Sequence, residues 1–123
     1  MTAETLQDEL KAAGIEYTTG LERFMGNQGL YHKFLAKFIH EDKSYNLFCA
    51  ALAAADLEES EKTVHTLKGT AGNLGLMTLY HKADAVVQAI RAKQDLATIQ
   101  KLSEAVTTSY HATCDVLGKL LGE

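Results

Sequence analysis

Along most of this chain apolar residues return every three or four positions, the period of an α-helix with one buried face. Glycines and polar clusters interrupt the pattern and mark where one helix gives way to the next. Thr2 to Ala13 reads as a short helix, capped by Thr2, with Glu4, Asp8 and Glu9 in its early turns and Gly14 as its stop. Thr19 is placed to cap a second short helix, on which Leu21, Phe24 and Met25 share a face. Asn27 opens the next helix, with Leu30, Tyr31, Phe34, Leu35 and Phe38 in one apolar stripe. Glu41 to Ser44 is polar and predicts a bend, after which Tyr45 to Ala55 resumes the helix.

The second half of the chain is more regular. Asp56 with Glu59 three residues later makes a capping box for a helix running to about Leu74, and Gly75 is suited to end it in a left-handed conformation. Leu76 to Lys93 carries Leu76, Leu79, Tyr80, Ala83, Val87 and Ile90 along one side. Asp95 caps a final helix with apolar residues recurring from Leu96 to Leu120. The connections are only a few residues long, so neighbouring helices run antiparallel. The expected fold is all-α: an up-and-down four-helix bundle over about residues 27–121, with short extra helices in about residues 1–26 packed over one end. The whole is read as one domain.

Composition agrees with a helical domain. The 123 residues are enough for one real core, and they include no proline and no tryptophan. A net charge of −4 argues against nucleic acid as a partner. No apolar run is long enough to span a bilayer, so the expectation is a soluble, cytoplasmic protein, without membrane contact and monomeric. Cys49 and Cys114 lie in predicted helices outside any CxxC or CxxH pattern and read as small buried hydrophobes. No nucleotide-binding glycine loop is present. A metal-binding bundle would need Glu-x-x-His motifs, which the chain lacks. His81 and Asp84 form a single i, i+3 pair, so no metal and no cofactor is expected, and His32, His40, His81 and His111 read as surface or half-buried residues.

The segment TVHTLKGTAGNLGL, Thr63 to Leu76, does not fit an ordinary surface helix. Advancing about 100° per residue, Leu57, Val64, Leu67, Ala71 and Leu74 gather on the core side, and His65 points roughly 140° away. Gly69 and Gly72 fall on the same outer side as His65, as do Glu58 and Glu61, and Lys68 is its i, i+3 neighbour on the flank. Each glycine costs about 1 kcal/mol of helix propensity. Either the two glycines clear an approach for a large partner, or they let another helix of the domain pack closely. Under the first reading Gly72→Ala should stabilise the free protein; under the second it should not.

His65-Thr66-Leu67-Lys68-Gly69, with Gly75 further on, resembles the H-x-L-K-G-x-x-x-x-x-G signature of histidine-containing phosphotransfer (HPt) domains. Gly20 to Phe38 is similar to the segment preceding the histidine helix in bacterial members, and the likeness runs from about Gly14 to Arg91. The resemblance implies a phosphorelay intermediate rather than an enzyme. His65 would accept a phosphoryl group, Lys68 would stabilise it, and Gly69 and Gly72 would admit the partner. The implied partners are receiver domains, which bring an aspartate and Mg²⁺, and a hybrid sensor kinase; the first Met favours a free-standing protein over an excised kinase module. Many members place a polar side chain about 22 residues after the histidine to orient its ring. Here that position is Val87, with Gln88 beside it, so Gln88 and Glu61 are the accessory candidates. The alternative is a helical module that binds receivers without taking phosphate.

Overall fold

The computed structural model describes residues 3–123 and is all-α, with one isolated backbone bridge. Helices α1 (Ala3–Ala12) and α2 (Tyr17–Arg23) are short. Helices α3 (Gln28–His40) and α4 (Ser44–Ala53) follow one another through a bend at Glu41 to Lys43. Helices α5 (Leu57–Asn73), α6 (Met77–Arg91) and α7 (Leu96–Leu120) complete a bundle whose first member is the bent α3–α4 pair. The expected cap at Thr2 lies outside the described residues.

Local chemistry explains three of the helix starts. The side chains of Asn27, Asp56 and Asp95 accept backbone N–H bonds from Leu30, Glu59 and Thr98, at 3.0, 3.1 and 2.8 Å. Gly14 and Gly75 take positive φ values of 74° and 79°, which only glycine adopts without cost. Thr19 does not cap α2, contrary to expectation. The helix begins three residues earlier, after Glu16, whose backbone N–H is bonded to Gly75 O at 2.8 Å. That bond and the one from Met77 N to Gly14 O at 2.9 Å form a small antiparallel clasp between residues 14–16 and the α5–α6 connection.

The core runs along the bundle axis. Leu35, Val64, Leu67, Ala71, Leu79, Val86, Ile99, Val106 and Leu117 are buried in it. Tyr31 is buried too, and its hydroxyl donates to Leu74 O at 2.7 Å. Burial holds its phenol well above the ordinary range, pushed up to about 12, with Tyr17 adding to the effect. The α3 stripe is not wholly internal: Tyr31, Leu35 and Phe38 are buried, whereas Leu30 and Phe34 stand exposed at its edge. Tyr45 and Tyr110 stack at 3.8 Å between ring centroids and join α4 to α7. Cys49 and Cys114 are free and half-buried against the core. Among the described residues, no helix is long and apolar enough to cross a membrane.

Candidate functional site

Helix α5 presents two unlike faces. Val64, Leu67 and Ala71 are fully buried on one side, while His65 is exposed on the other. Among the described residues no hydrogen bond or ion pair engages the His65 ring. One turn further along, Gly69 is exposed, and a Cβ built there would meet nothing within 4 Å. The helix therefore carries an imidazole followed by bare backbone.

Gly72 is different. A Cβ there would stand 2.9 Å from Cδ1 and 3.2 Å from Cε1 of Tyr80 on α6. It makes room for an aromatic ring of the same domain, as the close-packing alternative expects, and in this it differs from Gly69. Helical periodicity placed Gly72 on the outer side; it could not show that α6 leans a tyrosine over that position.

Lys68 also turns towards α6. Its Nζ lies 2.9 Å from Oδ1 of Asp84 and 5.8 Å from the centre of the Tyr80 ring. The Gln88 amide donates to the same Asp84 oxygen at 3.3 Å. The Lys68 and Gln88 hydrogen bonds hold the Asp84 carboxyl below the usual carboxylate range. Seven residues before Lys68, Glu61 accepts from Arg91 Nε at 3.5 Å, and Arg91 lies seven residues beyond Asp84. The two ion pairs share one antiparallel register of α5 and α6, and that register sets His65 level with Val87.

Val87 is fully buried, so no side chain at that level of α6 reaches the ring from position 87. Gln88 is exposed and engaged by Asp84, and Glu61 is engaged by Arg91. Both accessory candidates are thus on the α5–α6 seam, each with a partner other than His65. The residues that sequence reasoning missed are Tyr80 and Asp84. Asp84 was visible only as an i, i+3 partner of His81; its bond to Lys68 depends on helix register.

A shallow groove of about 490 Å³ opens beside Gly69, between α3 and α5. Phe34, Lys37 and Phe38 line one side, and Thr70, Asn73 and Leu74 the other. Lys37 Nζ rests 5.4 Å from the centre of the exposed Phe34 ring. The remaining histidines lie elsewhere. His32 shares a 2.6 Å hydrogen bond with the Tyr17 hydroxyl, and burial lowers its pKa. His40 meets Glu123, His81 sits beside Tyr80, and His111 lies against Tyr45 and Tyr110. Among the described residues no group of three or more His, Cys, Asp or Glu side chains is gathered as metal ligands.

A family model described as the Hpt domain matches residues 34–115, more than half of the chain. The match begins at Phe34 and extends through most of α7, whereas the resemblance carried by the sequence motifs stopped at Arg91. No curated protein and no solved structure gives a match.

Proposed function

The chain belongs to the Hpt domain family, and on that premise we propose that it relays phosphoryl groups through His65, between aspartates of receiver domains. The observation that carries the reading is the exposed imidazole at the head of the H-x-L-K-G run, followed by a glycine that faces open space. A neutral imidazole nitrogen is a competent nucleophile near pH 7. Its lone pair attacks phosphorus, the new N–P bond forms as the O–P bond of the aspartyl phosphate breaks, and the carboxylate leaves with the electron pair. The proton on the other ring nitrogen then passes to solvent. Onward transfer is the reverse exchange on a second receiver.

The roles of the other residues follow from what such a transfer needs. The transferred group is rich in negative charge, and catalysis is mostly positioning and electrostatic stabilisation. Lys68, on the same helix one turn from His65, supplies a cation. Gly69 lets the partner's backbone come close. The groove beside it, with Phe34 at its rim, offers apolar contact area. Mg²⁺ and the acceptor aspartate belong to the receiver, and a hybrid sensor kinase would stand upstream.

The test is transfer from a ³²P-labelled receiver domain to the wild type and to His65→Gln in parallel. Acid-labile, base-stable label on the wild type alone is the expected result. Lys68→Ala should still take label, at a rate lower by on the order of tenfold. Label on both proteins would move the site to His32, His40, His81 or His111. No label on either, across several receivers in Mg²⁺ buffer, would leave a receiver-binding module that takes no phosphate.

A further inference from the structure

Lys68 is one of two lysines three residues from His65, with Lys62, and in this structure it is committed elsewhere. Its ammonium lies over Tyr80 and is bonded to Asp84, with the carboxylate steadied by Gln88. Tyr80 can lean there because Gly72 has no side chain. The Lys68 and Asp84 side chains are only 20% and 36% exposed, so the pair is partly sheltered at the α5–α6 seam. An i, i+3 neighbour on a helix stands about 5–6 Å away between Cβ atoms. A rotamer change in Lys68 therefore carries its ammonium from Asp84 to the space beside His65.

We propose that Asp84 is a positioning residue for phosphotransfer: with Gln88 and the Tyr80 ring it berths the Lys68 ammonium while His65 is unmodified, and yields it to the phosphoryl group once His65 carries one. The inference rests on the phosphorelay reading of His65. The exchange breaks no covalent bond. Lys68 gives up its N–H bonds to Asp84 Oδ1 and makes them to phosphoryl oxygens. A phosphoryl group offers up to about two negative charges and three acceptor oxygens, against one charge on the carboxylate. It therefore outcompetes Asp84, and Asp84 takes back part of the gain. The aspartate thus moderates how strongly this protein holds its phosphoryl group. A relay that must both accept and surrender phosphate needs such moderation.

The test uses the full chain with potassium phosphoramidate as the donor, so that no receiver is required. In that reaction the His65 N–P bond forms, the donor's N–P bond breaks, and ammonia leaves. The side-chain carboxyl of Asp84 is then followed by ¹³C NMR at one neutral to mildly alkaline pH, where the acid-labile phosphohistidine survives, with and without phosphate on His65. The groups facing it are Lys68 from α5 and Gln88 and His81 from its own helix. The expected result is a change in the Asp84 carboxyl signal on phosphorylation that matches the change produced by Lys68→Ala. A carboxyl signal that stays at its unmodified wild-type position overturns the proposal.

Asp84→Asn supplies the second arm. Receiver-exchange equilibria should shift towards phospho-His65 by about twofold to fivefold, the range expected for a partly exposed ion pair. Asp84→Glu should restore the wild-type position, and in a Lys68→Ala background Asp84→Asn should change nothing. The same shift without Lys68 would also overturn it. Failure of receivers to label His65 would instead count against the relay reading, and the phosphoramidate experiment would still decide the role of Asp84.

Discussion

Gly69 and Gly72 are three residues apart on one helix and answer to different constraints. Around Gly69 a methyl group meets nothing, so Gly69→Ala should gain helix propensity and stabilise the free protein by up to about 1 kcal/mol. It should also slow receiver transfer, because the methyl occupies the approach to His65. At Gly72 the same methyl lands against the Tyr80 ring, and overpacking of this kind costs about 1–3 kcal/mol. Urea unfolding should therefore find Gly69→Ala more stable than Gly72→Ala. Equal stability would mean that Tyr80 swings aside freely. Tyr31 gives a second residue-scale expectation. Its folded-state pKa lies above the ordinary phenol value, so its buried neutral form stabilises the fold fully below pH ~10. That stabilisation is lost as pH rises towards about 12. A spectrophotometric alkaline titration should show Tyr31 ionising together with unfolding rather than with the exposed phenols.

At the scale of the element, what could be read from sequence is what depends on neighbours a few residues away. The starts of α3, α5 and α7 were legible because each is set by one Asn or Asp and the backbone N–H three residues on. Asp56→Ala should cost about 1 kcal/mol in urea unfolding, with α5 and its histidine fraying first. At α7 the Thr98 hydrogen bonds hold the Asp95 carboxyl below the ordinary value. The cap is thus complete above the usual aspartate pKa and is lost as pH falls through the lowered one. Amide exchange at Thr98 read against pH should show that loss, and Asp95→Asn should remove it. The start of α2 was illegible for the opposite reason. Glu16 is fixed by Gly75, far along the chain, and no local pattern marks it. The same distinction separates His65 from Asp84. The exposed histidine follows from the helical period of α5 alone, whereas the bond from Lys68 to Asp84 needs the register between two helices.

For the whole molecule, short connections and amphipathic periods were enough to predict an all-α bundle, and the structure agrees with it. They could not say where the N-terminal segment docks, because that is decided by Ile15 entering the core and by the pairing of residues 14–16 with 75–77. The clasp has a consequence for the order in which the chain assembles. Helices α5, α6 and α7 meet through near neighbours in sequence, which is the fast kind of contact to form. The clasp instead closes a loop of about 60 residues, a step that costs entropy and is rewarded by few backbone bonds. It should form after the α5–α6 hairpin and open ahead of it. The amides of Glu16 and Met77 should then exchange with solvent by a partial opening that leaves α5 and its histidine in place.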